Sequence, residues 1–137
     1  MLIICTGPET FLARQKTLDL LEAYKQKHVS QGAEIERLES QTSIQDAITR
    51  LSSQGLFATK RLLKYENLMS GITQAQAKQL IKALLADCNQ TVVLTYEDKS
   101  PTEKILDLFP KENLFVYAHE KLKGPELNKW MYVLCLI

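Results

Sequence analysis

The sequence predicts an α/β fold: a three-layer arrangement of a five-stranded, mainly parallel sheet with helices on both faces. Two observations carry that expectation. Short apolar or β-branched runs alternate along the chain with longer stretches of helical spacing, the pattern of successive strand–helix–strand units. The first run, Leu2-Ile-Ile-Cys5, is apolar at every position, as a strand covered on both faces requires. Residues 1–137 read as one domain.

The elements follow in order. Leu2 to Cys5 is the first strand, ended by Thr6-Gly7. Residues 10–28 form a helix in which Ala13, Thr17, Leu20, Leu21 and Tyr24 share a face. Ala33 to Leu38 alternates Ile35 and Arg37 with acids, which suits a more exposed strand. Thr42-Ser-Ile-Gln45 is a capping box, because hydroxyl and amide satisfy free backbone donors at a helix start. Ile44, Ala47, Ile48 and Leu51 line that helix, and Arg61 to Tyr65 gives a third strand.

Thr73-Gln-Ala-Gln76 opens another helix in the same way, with Ala77, Leu80, Ile81, Leu84 and Leu85 as its apolar face. Asn67 to Thr73, before it, is expected to be the mobile loop. Thr91 to Thr95 is a β-branched fourth strand. Ser100-Pro-Thr-Glu103 combines an N-cap Ser, an N1 Pro and an N3 Glu. Leu114 to Tyr117 is the fifth strand. Gly124-Pro125 starts a last helix, with Trp130 as a core anchor.

Bulk composition removes several function classes. The chain is 45% apolar and 24% charged, near the globular average. Its 17 Lys+Arg against 16 Asp+Glu leave +1, so no basic domain announces nucleic acid and no acidic block announces disorder. DNA contact is expected to be weak or indirect. Cys5, Cys88 and Cys135 are odd in number and widely spaced, which fits a reducing, cytoplasmic compartment. His28 and His119 stand far apart and no close Cys/His pair exists, so no zinc site is expected. The start lacks a basic region ahead of its short apolar run. The apolar tail from Trp130 to Ile137 is far short of the roughly 20 residues of a membrane helix. No membrane partner is expected, and the tail reads as a helix that continues beyond this chain.

In α/β folds ligands sit at the carboxyl ends of strands. The first such turn here is Gly7-Pro-Glu-Thr-Phe-Leu-Ala-Arg14. A phosphate loop needs a second glycine for close approach, a lysine for charge and a hydroxyl for magnesium. Leu12, Ala13 and Arg14 stand in those three places, only Gly7 is kept, and Glu9 repels phosphate. Arg14 reads either as a contact in the old nucleotide pocket or as a surface helix charge. Tyr96-Glu97-Asp98 offers a magnesium-binding pair, but without a phosphate loop it reads as a solvated strand end, as does Glu66. No Ser/His/Asp or Cys/His set has a context for catalysis. The expectation is a nucleotide-binding scaffold without nucleotide: no enzyme activity, no catalytic residue and no cofactor.

With that site degenerate, a surface must carry function. Gln54-Gly-Leu-Phe-Ala-Thr-Lys-Arg-Leu-Leu63 is the candidate. Leu56 and Phe57 follow a polar, glycine-containing break. Packed inward, they close a loop; held outward, they form an apolar plug for a pocket on another protein. Gly55 lets the chain turn before the pair. Gln54 is either a hydrogen-bonding rim residue or a turn residue. Lys60 and Arg61 either attract an acidic partner or open the third strand as solvated charges.

Four segments in order resemble the N-terminal domain of clamp-loader delta subunits of bacterial DNA polymerase III. Leu2-Ile-Ile-Cys-Thr-Gly-Pro-Glu-Thr-Phe-Leu-Ala-Arg14 is similar to the family's first strand and degenerate phosphate loop. Gln54 to Leu63 is similar to its clamp-binding element running into the third strand. Val92-Val-Leu-Thr-Tyr-Glu-Asp-Lys-Ser100 is similar to its fourth strand and following loop. Leu122-Lys-Gly-Pro-Glu-Leu-Asn-Lys-Trp130 is similar to the segment leading out of the first domain. The resemblance spans nearly the whole chain.

The resemblance implies a RecA-type, AAA+-like domain with a degenerate phosphate loop that does not hydrolyse ATP. It implies binding to the sliding DNA clamp (the beta subunit) through Leu56 and Phe57, with Gln54 beside them, to open or hold open the ring during replication. The family's lid and collar domains are not in this sequence, so the chain is expected to be a fragment. Contacts with other clamp-loader subunits are expected to need the collar. Two alternatives stand beside this reading. One is a divergent P-loop-fold ATPase or nucleotide-dependent kinase. The other is a stand-alone adaptor of flavodoxin-like topology, which strand order distinguishes.

Overall fold

The computed structural model describes residues 1–7, 10–28, 32–38, 44–52, 60–86 and 91–118. Five strands, β1 (Leu2–Thr6), β2 (Glu34–Arg37), β3 (Arg61–Glu66), β4 (Val92–Tyr96) and β5 (Leu114–Ala118), alternate with α1 (Thr10–His28), α2 (Ile44–Ser52), α3 (Gln74–Ala86) and α4 (Glu103–Leu106). The strands form one sheet in the order β2-β3-β4-β1-β5. Every pairing is parallel, so the sheet is wholly rather than mainly parallel. Flavodoxin-like folds order their strands 2-1-3-4-5, and this sheet does not.

β1 and β4 are buried at every residue, because both faces of the sheet are covered. Alternation along β1 splits the core in two. Leu2 and Ile4 join Leu63, Tyr65 and Val93 under α2, α3 and α4. Ile3 and Cys5 join Leu62, Leu94 and Tyr117 under Leu20, Leu21 and Tyr24 of α1. Burial pushes the Cys5 thiol up to about 11, which makes it a small core hydrophobe. β2 is an edge strand with half of its residues exposed, and Glu34, Glu36 and Arg37 charge that edge against further pairing.

The α1 face is as the spacing predicts: Ala13, Thr17, Leu20, Leu21 and Tyr24 are buried. The α3 capping box is present, with Gln76 N–H donating to Thr73 Oγ1 at 3.2 Å and Thr73 N–H to Gln76 Oε1 at 3.0 Å. Two expectations are corrected. Leu85 is 60% exposed. The buried stripe of α3 centres on Leu80 and Leu84 and reaches Ala83 instead, which leaves Leu85 on the far margin. Ser100 does not cap α4. That helix is a single turn with Thr102 as its N-cap, and the Ser100 hydroxyl donates to the adjacent Pro101 carbonyl. Residues 67–71 form a turn, with Leu68 and Met69 buried. Asn67 there takes a left-handed φ of 54°, which Asn tolerates better than most residues. The Thr42 capping hydroxyl and the final helix with Trp130 lie outside the described residues.

Candidate functional site

The carboxyl ends of β1, β3 and β4 converge where a ligand crevice is expected. α1, which follows β1, covers one face, while α4, which follows β4, packs on the other. The gap between the adjacent β1 and β4 is therefore a topological switch point.

The first strand–helix turn places the residues at which the sequence departs from a phosphate loop. Gly7 has a φ of 143°, a conformation that favours glycine. α1 begins at Thr10, so Leu12, Ala13 and Arg14 all lie inside its first two turns. Ala13 is fully buried, so a methyl group faces the core where a phosphate loop places its lysine. Leu12 and Phe11 point outward, at 37% and 71% exposure.

Arg14 is an exposed charge on the helix surface, as one of its two readings expects, and it has partners. Its Nη1 lies 3.6 Å from Glu66 Oε1 at the end of β3, and its guanidinium carbon stands 4.4 Å from the centroid of the Tyr96 ring at the end of β4. Lys64 adds a second contact to Glu66 at 3.5 Å. A recess of about 110 Å³ remains between Arg14, Leu18, Lys64 and Tyr96. The charges here satisfy one another. Glu66, expected to be a solvated strand end, instead joins β3 to α1.

Glu97 corrects the second such expectation. It is 1% exposed. Its Oε1 accepts the Met69 N–H at 2.5 Å and the Thr95 hydroxyl at 3.4 Å, and its own N–H donates to the Cys5 carbonyl. Burial pushes the carboxyl up to about 7 against those hydrogen bonds, and Asp98 raises it further. Asp98, next in the chain, is exposed. It exchanges two hydrogen bonds with Asn67, at 2.9 and 3.0 Å, and that partner, with Tyr96, holds its carboxyl below the usual range. A cleft of about 470 Å³ lies between the 67–71 turn and the 98–102 loop, with Glu97 in its wall.

Glu97 and the turn that holds it are what sequence reading missed. A signal existed: Val93, Thr95 and Glu97 are two residues apart and so share a face. The first two are fully buried. The Asn67 to Gly71 spacing is equally that of a turn.

Gln54, Leu56 and Phe57 lie outside the described residues, as do Gly55 and Glu9. Their flanks are described. α2 ends at Ser52 and β3 starts at Arg61, at the amino edge of the sheet, opposite the end of β1. Lys60 is exposed. Arg61 is not available to a partner in the way its sequence position allows. Its Nε donates to Thr91 Oγ1 at 3.0 Å and its Nη2 to the Arg50 carbonyl near the end of α2. Arg50 in turn is paired with Glu36 of β2 and, at 2.7 Å, with Asp46, and these acids hold its charge firmly. The last turn of α2 and the start of β3 are thus joined through the Arg61 side chain and the Arg50 carbonyl.

Among the described residues, no group of three or more His, Cys, Asp or Glu is placed to hold a metal ion. No helix among them is long and apolar enough to cross a membrane. No protein-family model matches the chain, and no curated protein matches it.

Proposed function

We propose that this chain is a non-catalytic, AAA+-like domain of a clamp-loader delta subunit, which binds the sliding DNA clamp and helps to open its ring during replication. The observation that supports this reading is the state of the first strand–helix turn. Ala13 is buried at the lysine position, and Arg14 is committed to Glu66 and Tyr96. A scaffold of nucleotide-binding type whose nucleotide turn is arranged in this way has its function on a surface. Of the two topologies weighed, the insertion of β4 between β3 and β1 favours the RecA-type core over the flavodoxin-like adaptor.

Clamp contact is assigned to Leu56 and Phe57, with Gln54 at the rim. Full burial of two such side chains contributes about 1.5–3 kcal/mol each. Association costs several kcal/mol, so flanking contacts are required. Exposed Lys60 supplies a cation for an acidic rim, while Arg61 holds the base of the segment. The chain works in the cytoplasm, with no metal or cofactor of its own. Surface plasmon resonance of the 137-residue chain over immobilised sliding clamp tests the proposal, and saturable binding is the expected result.

A further inference from the structure

We infer that the cleft at the carboxyl ends of β3 and β4 binds a guanidinium group, held against Glu97. The inference is independent of the clamp reading, since it concerns the opposite edge of the sheet.

The place is the carboxyl end of the neighbouring strands β3 and β4, the end of the sheet at which α/β folds take their ligands. Its volume of about 470 Å³ is within the range of small-ligand sites. One wall is the turn bearing Met69 and Ile72; the other is the loop bearing Asp98 and Ser100, with Ile105 behind it.

Glu97 is the only buried Asp or Glu among the described residues. Both side-chain hydrogen bonds it receives fall on Oε1, and the residue lines the cleft. A carboxyl buried in this way is costly in its charged form unless a cation pairs with it. Burial holds it near 7, so close to neutral pH it is divided between acid and anion, and an entering cation draws it to the anion.

The chemistry of the walls selects the cation. Phosphate is opposed by Glu97 and Asp98 together. A divalent metal lacks a ligand set among the described residues. An ammonium is strongly hydrated, whereas a guanidinium sheds water more readily and presents a planar fork of donors suited to a carboxylate. Met69, Ile72 and Ile105 offer apolar surface to its faces, Asp98 and Ser100 offer acceptors at the rim, and Lys99 is the one cation in the lining, set against the two acids Glu97 and Asp98.

The test is amide NMR of the 137-residue chain titrated with ethylguanidinium and, separately, with a capped single-arginine peptide. A saturable shift of the Met69 amide with either probe is expected at millimolar concentration. Response to the peptide alone points to an arginine of a protein partner, and response to ethylguanidinium points to a free small molecule. Glu97→Gln should weaken binding about tenfold or more. A native-chain arm covers the case of a variant that folds poorly: binding should be present at pH 8 and lost at pH 5, where Glu97 is protonated. The other charged groups that face it are Asp98, which acts on its carboxyl directly, and Lys99, which lines the same cleft; the 67–71 turn and the end of β1 carry none. Asp98 stays ionised across that range. No saturable Met69 shift with either probe, or equal binding by the native chain and Glu97→Gln, overturns the inference.

Discussion

The Arg14 guanidinium of α1 lies over the ring of Tyr96 in β4, 4.4 Å from its centroid. Its other contact, Glu66 at the end of β3, adds an acid beside the first strand–helix turn. A cation–π contact of this kind contributes about 0.5–1 kcal/mol at exposed sites. Its larger consequence is steric and electrostatic.

The expected outcome is that millimolar Mg-ATP leaves the melting temperature unchanged. A ligand that binds only the native state raises stability with its concentration. Differential scanning fluorimetry checks this, and a concentration-dependent rise in Tm would restore the ATPase reading.

Glu97 makes stability depend on pH in the opposite sense to a surface carboxylate. Its native pKa is raised to about 7 from an ordinary 4.5, so between those values the folded chain holds more proton than the unfolded one. Stability from this group is therefore fully present below about pH 4.5 and is lost as pH rises through about 7, by about 3 kcal/mol in all. Urea unfolding at intervals from pH 4.5 to 8 measures it. Glu97→Gln should flatten that part of the profile and be the more stable protein at pH 8.

Arg61→Met should lower unfolding free energy by about 1–2 kcal/mol. The substitution keeps the apolar stem and removes the donors to Thr91 and to the Arg50 carbonyl. A lower urea midpoint with an unchanged slope is the expected readout, with the loss centred on the packing of α2 beside β3.

Thr73→Ala removes one half of the reciprocal cap of α3 and should cost about 1 kcal/mol. Equilibrium denaturation followed by circular dichroism checks it.

Much of this fold was legible because local signals and burial agree. The wholly apolar Leu2–Cys5 run could only be an inner strand, and the spacing from Ala13 to Tyr24 could only face a sheet. The α3 cap was readable because Thr73 and Gln76 satisfy each other with no help from the rest of the chain. Ser100 misled because the same cap signal says nothing about whether a neighbouring carbonyl takes the hydroxyl first. Leu85 misled because hydropathy marks an apolar residue without saying where the stripe ends. Glu97 was read by its charge rather than by its parity with Val93 and Thr95, and only the three-dimensional closeness of the 67–71 turn supplies the donor that lets it stay inside. Arg61 was likewise readable as a charge, not as an anchor, since Thr91 is distant in sequence. Gln54, Leu56 and Phe57 fall outside the described residues, so their role rests on sequence pattern and resemblance.

Clamp binding by Leu56→Ala plus Phe57→Ala is the most direct measurement of the central claim. The native chain should bind a sliding clamp saturably in surface plasmon resonance. The double variant, with an unchanged circular dichroism spectrum and melting temperature, should lose at least about a hundredfold in affinity. An equal Kd for the two folded proteins, or no binding by the native chain, would contradict it.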